Sequence, residues 1–215
     1  MIAFTVAVLC LLVARASNEV FVNCPFDKGY TPIFDAIVFA VTDLGFFARS
    51  AREEDDAGDF RLAKIQRIIE ECKYGIHDIS AVALDPINHL PRFNMPLELG
   101  LFLGCKRYGA DTQRSKVTLI LDTEPYRYQK FISDIAGQDI RSHANDVMKV
   151  IGEVRSWLAI ASKRQKLPGG KDIFSRYTRF QGDFPALCAA RKLQPDEVTF
   201  NELRQMIAAW LRLNR

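Results

Sequence analysis

The sequence lacks the signatures that most often betray a function. Its five cysteines, Cys10, Cys24, Cys72, Cys105 and Cys188, are odd in number and scattered, with no C-x-x-C pair. Neither a disulfide framework nor a zinc site is supported, and reduced, buried thiols point to a cytoplasmic setting. The three histidines, His77, His89 and His143, stand far apart and adjoin no nucleophile motif. No excess of one charge exists: 29 basic against 26 acidic residues give a net +3, too balanced to imply nucleic acid as a partner. The basic cluster Lys163-Arg164-Gln165-Lys166 is read as a solvated helix end or loop. There is no G-x-G-x-x-G, P-loop, serine elbow or kinase set, which removes the common nucleotide enzymes. No cofactor or metal is therefore expected. The acidic stretch Glu53 to Asp59 has a glycine at Gly58 but not the closing Glu of a calcium loop, and reads as surface.

Long hydrophobic runs are also missing. The longest, Ile2 to Ala14, falls short of the roughly 20 residues a membrane-spanning helix needs, so a membrane partner is not expected. Small residues follow it in Ala14-Arg15-Ala16-Ser17, where a signal peptidase would cut. Residues 2–14 are open to three readings: a secretion signal, an extra hydrophobic helix or anchor, or translation from upstream of the true start. The cytoplasmic character of the remainder favours the last two.

What is present is an ordinary globular composition, 48% apolar and 26% charged over 215 residues. Apolar runs with polar ends predict strands at Glu19–Asn23, Phe46–Arg49, Tyr74–Ser80 and Lys116–Asp122, with a short fifth at Asp139–Ser142. Between them, helical spacing predicts helices over Tyr30–Leu44, Leu62–Cys72, Asn94–Cys105 and Tyr126–Ile135. This alternation predicts an α/β fold, a doubly wound parallel sheet of about five strands. From Asn145 the pattern turns wholly helical: a stripe from Val147 to Ala161, then Ile173–Lys192 and Phe200–Leu213. The expected division is a hydrophobic segment at 1–17, an α/β nucleoside- or nucleotide-binding domain at 18–143, and a helical extension at 144–215. That extension reads as a cap or a partner-binding hairpin, for a second copy or another protein.

One stretch stands out. Asn94 reads as a helix N-cap, with Pro96 in the first turn, where its missing N–H costs nothing. The helix that follows is apolar on every face as far as Cys105 except at Glu98, and such a helix is expected to be buried. A bland explanation has Glu98 satisfied by the free N–H groups of its own helix start. The functional one has it at a pocket edge. Parallel sheets bind ligands beyond the carboxyl ends of their strands, and the predicted strands exit into Asn23 and Asp27, Arg49, Asp78 and Ser80, and Asp122. Glu98 starts from the same edge.

A lone carboxylate there suits cleavage of a glycosidic bond, whose oxocarbenium-like transition state it can stabilise by charge or capture covalently. Around it, Asp78 is a candidate for the departing base or the ribose hydroxyls, Asn23 and Asn94 for the sugar, Phe26 for stacking on a base, and Arg49 for a phosphate.

The strand Val20–Asn23 with its Pro25-Phe26-Asp27 loop, the segment ending Asp78-Ile79-Ser80, and Asn94-Met95-Pro96-Leu97-Glu98-Leu99-Gly100 together resemble the nucleoside 2-deoxyribosyltransferase-like group and its relatives, the bacterial Toll/interleukin-1-receptor-like domains. The resemblance covers about Glu19 to Thr123 and implies a flavodoxin-like fold. It further implies that Glu98 is the nucleophile or key carboxylate acting on the N-glycosidic bond of a nucleoside or of NAD, with NAD a substrate. Met95-Pro96-Leu97 departs from the small polar residues that usually precede this Glu, which leaves the substrate open. The alternative is a non-catalytic module that senses a nucleotide or engages a partner in bacterial defence or signalling.

Overall fold

The computed structural model describes residues 18–82, 84 and 89–215. The hydrophobic segment expected at 1–17, and Asp85 in the loop leading to Asn94, lie outside the described residues.

Five strands, β1 (Glu19–Asn23), β2 (Phe47–Arg49), β3 (Tyr74–Asp78), β4 (Val117–Asp122) and β5 (Arg141–Ser142), form one sheet. Their order is β2-β1-β3-β4-β5 and every pairing is parallel. This is the flavodoxin-like doubly wound arrangement, as the alternating pattern predicts, and its order of winding reverses between β1 and β3. The helices are α1 (Thr31–Asp43), α2 (Arg61–Glu71), α3 (Asn94–Tyr108), the single turn α4 (Asp111–Arg114), α5 (Val147–Ser162), α6 (Gly170–Ala190) and α7 (Phe200–Asn214).

Strand pleating divides the core. Val20, Val22, Tyr74, Ile76, Leu119 and Leu121 point to the face covered by α1 and α5. Phe21 points the other way, onto Ile65 and Ile68 of α2 and Phe102 of α3, and Ile120 meets Leu99 on that same side. Side chains two apart share a face, so the alternation follows from the strand period alone.

The C-terminal helices complete the first face. Trp157 of α5 sits edge-on to Tyr74, ring centroids 6.0 Å apart. Helices α6 and α7 then cover the outside of α1: Phe39 lies 5.5 Å from the Tyr177 and Phe180 rings and 6.1 Å from Trp210. Residues of the 144–215 stretch thus join one hydrophobic cluster with β1, α1 and β3. Helix α7 opens with a capping box, Thr199 and Glu202 satisfying each other's backbone N–H groups.

Three sequence expectations change. Tyr126–Ile135 is not one helix but two 3-10 turns, Arg127–Lys130 and Ser133–Ile135. The break at Phe131 and Ile132 lets Tyr128 bury beside Ile79 and Leu99. Helix α3 is not buried all round: Met95, Glu98, Leu99 and Phe102 face inward, whereas Leu97 is 54% exposed. The apolar helix that is enclosed is α1, because α6 and α7 dock on it, whereas among the described residues no helix docks outside α3. Finally, Phe93 rather than Asn94 occupies the N-cap of α3, and no side chain caps it. No helix among the described residues is long and apolar enough to cross a membrane.

Candidate functional site

The ends of β1 and β3 flank the point where the winding reverses. Beyond β1 the chain turns out through Cys24-Pro25-Phe26-Asp27, and beyond β3 it returns as α3. Between them lies a small cleft, with a cavity volume of about 70 Å³. Of the residues expected from the sequence, Asn23, Phe26, Asp27, Asn94 and Glu98 all line it.

Glu98 is the fifth residue of α3, beyond the free N–H groups of the helix start, since Leu97 N–H already donates to the Phe93 carbonyl at 2.9 Å. It is 7% exposed, and among the described residues no hydrogen bond or ion pair closes on it. Burial pushes its carboxyl up from 4.5 to about 7, against the pull of the Arg61 charge. A carboxylate held by backbone N–H groups shifts downward instead. The bland explanation, a Glu satisfied by its own helix, therefore does not describe this residue.

Asn23 fixes the cleft floor. Its Nδ2 donates to the Met95 carbonyl at 2.9 Å, tying the end of β1 to the first turn of α3, and lies 3.0 Å from His77 Nδ1. With Nδ1 as acceptor, the proton of the neutral ring is on Nε2. His77 is packed edge-on between Phe21 and Phe102, and burial lowers its pKa to about 3, so it is neutral throughout the physiological range. Gly75 is required beneath it: a Cβ there would stand 2.7 Å from His77 Nε2 and 2.8 Å from the Phe102 ring.

Phe26 is 42% exposed on the cleft wall, with its edge toward Phe34 and the Arg52 guanidinium 5.4 Å from its ring centroid. Asp27 pairs with Arg92 at 2.7 Å, both about half exposed. Such a pair contributes little stability, on the order of 0–1 kcal/mol, and opens readily.

Asp78 and Arg49 lie elsewhere. The register pairs Asn23 with His77, so Asp78, the next residue of β3, projects from the opposite face. There Tyr30 donates to Asp78 Oδ2, and the Ser80 N–H donates to Oδ1 at 2.8 Å. His143 Nε2 is 2.9 Å from Asp78 Oδ2, close but outside hydrogen-bond alignment. Burial and the Asp78 charge together hold the Tyr30 phenol well above its usual pKa. All three side chains are buried, forming a polar knot under the sheet edge. Arg49 is shared by three carboxylates, Glu19 at 2.6 Å, Glu53 at 2.5 Å and Glu71 at 2.9 Å, and does not reach the cleft.

The cleft also contains residues the sequence reading passed over: Cys24, Arg61 and Arg92. Cys24 is a buried thiol, and burial together with the charges of Asp78 and Glu98 raises its pKa well above the ordinary value. It is a wall, not a nucleophile. Arg61 is the first residue of α2, and every helix that follows a strand in this winding starts from the ligand-binding edge. That rule would have found it. Among the described residues, no group of three His, Cys, Asp or Glu is placed to hold a metal ion.

No protein-family model, curated protein or solved structure matches this chain.

Proposed function

We propose that the protein breaks or transfers the N-glycosidic bond of a nucleoside or of NAD, with Glu98 as the carboxylate that meets the sugar. The observation that carries this reading is Glu98 itself: buried, without a partner among the described residues, and open to a cleft at the winding reversal. Departure of the base takes the C1′–N bonding pair with it and leaves positive charge across C1′ and the ring oxygen. The ionised Glu98 carboxylate stabilises that charge or bonds to C1′. Water then hydrolyses the glycosyl ester, or a second base accepts the sugar. Asn94 and Asn23 suit the sugar hydroxyls and Phe26 the face of the base. NAD fits the electrostatics in a further way: its glycosidic nitrogen is already cationic, so its arrival favours the charged form of Glu98.

The test is release of free base from NAD and from a panel of nucleosides, followed chromatographically. Wild-type protein is expected to turn over at least one of them, and Glu98→Gln to abolish it. Turnover that survives Glu98→Gln overturns the assignment.

A second reading, a nucleotide-sensing module without turnover, draws on the occupation of Asp27 by Arg92. That pair engages Asp27, the other carboxyl among the described residues that line the cleft. Saturable binding of a nucleotide with no base released would select it.

A further inference from the structure

We infer that the outer face of α3 binds the same face of a second copy of this chain, the two helices running antiparallel about a two-fold axis between Gly100 and Leu101. This surface is independent of the chemistry proposed for Glu98.

Helix α3 is apolar almost all round, yet its own chain uses one side of it. Met95, Leu99 and Phe102 face inward. At about 100° of turn per residue, Phe93, Leu97, Gly100, Leu101, Gly104 and Tyr108 fall in one sector roughly 100° wide on the other side. Phe93 stands one turn before Leu97, whose N–H it accepts. Phe93, Leu97 and Tyr108 are 57%, 54% and 85% exposed, Gly100 is exposed too, and the sector holds no charged side chain. The two glycines have no internal cause. A glycine weakens the interior of a helix, and a Cβ at Gly100 or Gly104 would meet nothing within 4 Å. At Gly75 and Gly109, by contrast, a Cβ would clash. A bare backbone at Gly100 and Gly104 serves close approach from outside, where contact residues set the distance between helices.

The face is complementary to itself. Turned about that axis, Leu97 lies opposite Gly104 of the partner subunit, an apolar knob over a hollow. Phe93 lies opposite Tyr108 of the partner subunit, ring to ring. Each contact occurs twice, as an isologous interface requires. Charge selects the antiparallel sense. It sets the uncapped, positive start of each helix beside the carbonyl end of the other, and it parts the two Arg107 side chains at the margin of the face. Arg92, close to the helix start, is already paired with Asp27. A parallel pair would bring like ends together and set knob against knob. The area suffices as well. At these exposures the two rings, Leu97 and the backbone between them offer on the order of 500 Å² per copy. About 1,000 Å² for the pair is where specific association begins, and it suits a dimer formed at micromolar concentration.

The experiment is sedimentation velocity of the full chain from about 1 to 200 µM. Wild-type protein is expected to pass from monomer to dimer within that range. Gly104→Gln fills the hollow and should weaken the dimer at least about tenfold. It should melt no lower than wild type where both are monomers, since its Cβ meets nothing in its own chain. Leu97→Glu and Gly104→Arg should each stay monomeric and folded by circular dichroism, each charge standing toward the helix end that favours it. Mixed in equal amounts, these two should form a dimer again, because one Leu97–Gly104 contact becomes an ion pair and the other is native. Ile160→Ser, on the exposed side of α5, should leave association unchanged. A wild-type chain that stays monomeric overturns the inference. So does a dimer that survives Gly104→Gln and Leu97→Glu, which would place the contact elsewhere, or a failure of the two charged variants to recombine. A Gly104→Gln monomer that melts lower than wild type assigns the glycine to the monomer and overturns it too.

Discussion

Asn23 at the end of β1 donates from Nδ2 to the carbonyl of Met95, 2.9 Å away in the first turn of α3. One buried amide thus joins the two segments that frame the cleft. Asn23→Ala leaves the buried Met95 carbonyl and His77 Nδ1 without that donor. The expected loss is roughly 1–3 kcal/mol of unfolding free energy in urea titration, with weakened ligand affinity as the start of α3 loosens.

Glu98 makes stability depend on pH in a definite direction. Its folded pKa, about 7, lies above the ordinary 4.5 because burial disfavours the charge. The folded state therefore binds the extra proton between these values. The contribution is intact below about 4.5 and is lost as pH rises through about 7. Glu98→Gln should accordingly be more stable than wild type at pH 8, by on the order of 2–3 kcal/mol, with the gap closing toward pH 5. Chemical denaturation of both proteins across that range measures it. A constant difference would remove burial as the cause.

The same titration sets the rate. If Glu98 acts as a carboxylate, kcat/KM rises with pH through a midpoint near 7, since this ratio reports the free enzyme. Arg61 draws that midpoint downward, so Arg61→Gln should move it to higher pH. A rate that falls through neutrality would make Glu98 an acid instead.

Arg49, a candidate phosphate ligand on sequence grounds, holds Glu19, Glu53 and Glu71 together. Arg49→Ala strips a largely buried group of carboxylates of their shared cation. The expected cost is about 3–5 kcal/mol in stability, with ligand affinity of the folded fraction unchanged. Loss of affinity at full stability would return Arg49 to the site.

The C-terminal helices are expected to be indispensable to folding. A chain ending at Lys166 lacks Tyr177, Phe180 and Trp210, which cover Phe39 on the outside of α1. It should lose near-ultraviolet dichroism, bind a hydrophobic dye and unfold without cooperativity. A cooperative transition in that fragment would show that the sheet with α1 and α5 forms a core without α6 and α7.

The strands were legible because fully buried parallel strands read as apolar runs, and the polar exits marked the carboxyl edge of the sheet, where the cleft lies. Glu98 was legible because a lone carboxylate on an apolar helix has few explanations. Two further features follow from geometry that a list of strand ends omits. Asn23 and Asp78 both terminate strands, yet pleating and register set them on opposite faces, with His77 as the neighbour of Asn23. Arg61 looked like one of several charges on the outer face of α2, and only the winding of the sheet brings the start of that helix to the cleft. The enclosure of α1 and the exposure of one side of α3 were beyond local pattern altogether. Both helices are apolar, and which is covered depends on where α6 and α7 dock, a contact between distant parts of the chain.

The burial of α1 has a consequence for synthesis. Thr31–Asp43 leaves the ribosome long before Trp210 and Leu211 of α7, which close its outer surface. At about 5–20 residues per second, roughly ten to thirty seconds separate the emergence of the helix from that of its cover. Through that interval α1, the most apolar of the described helices, is bare on one side, which is the kind of surface that chaperones shield during synthesis.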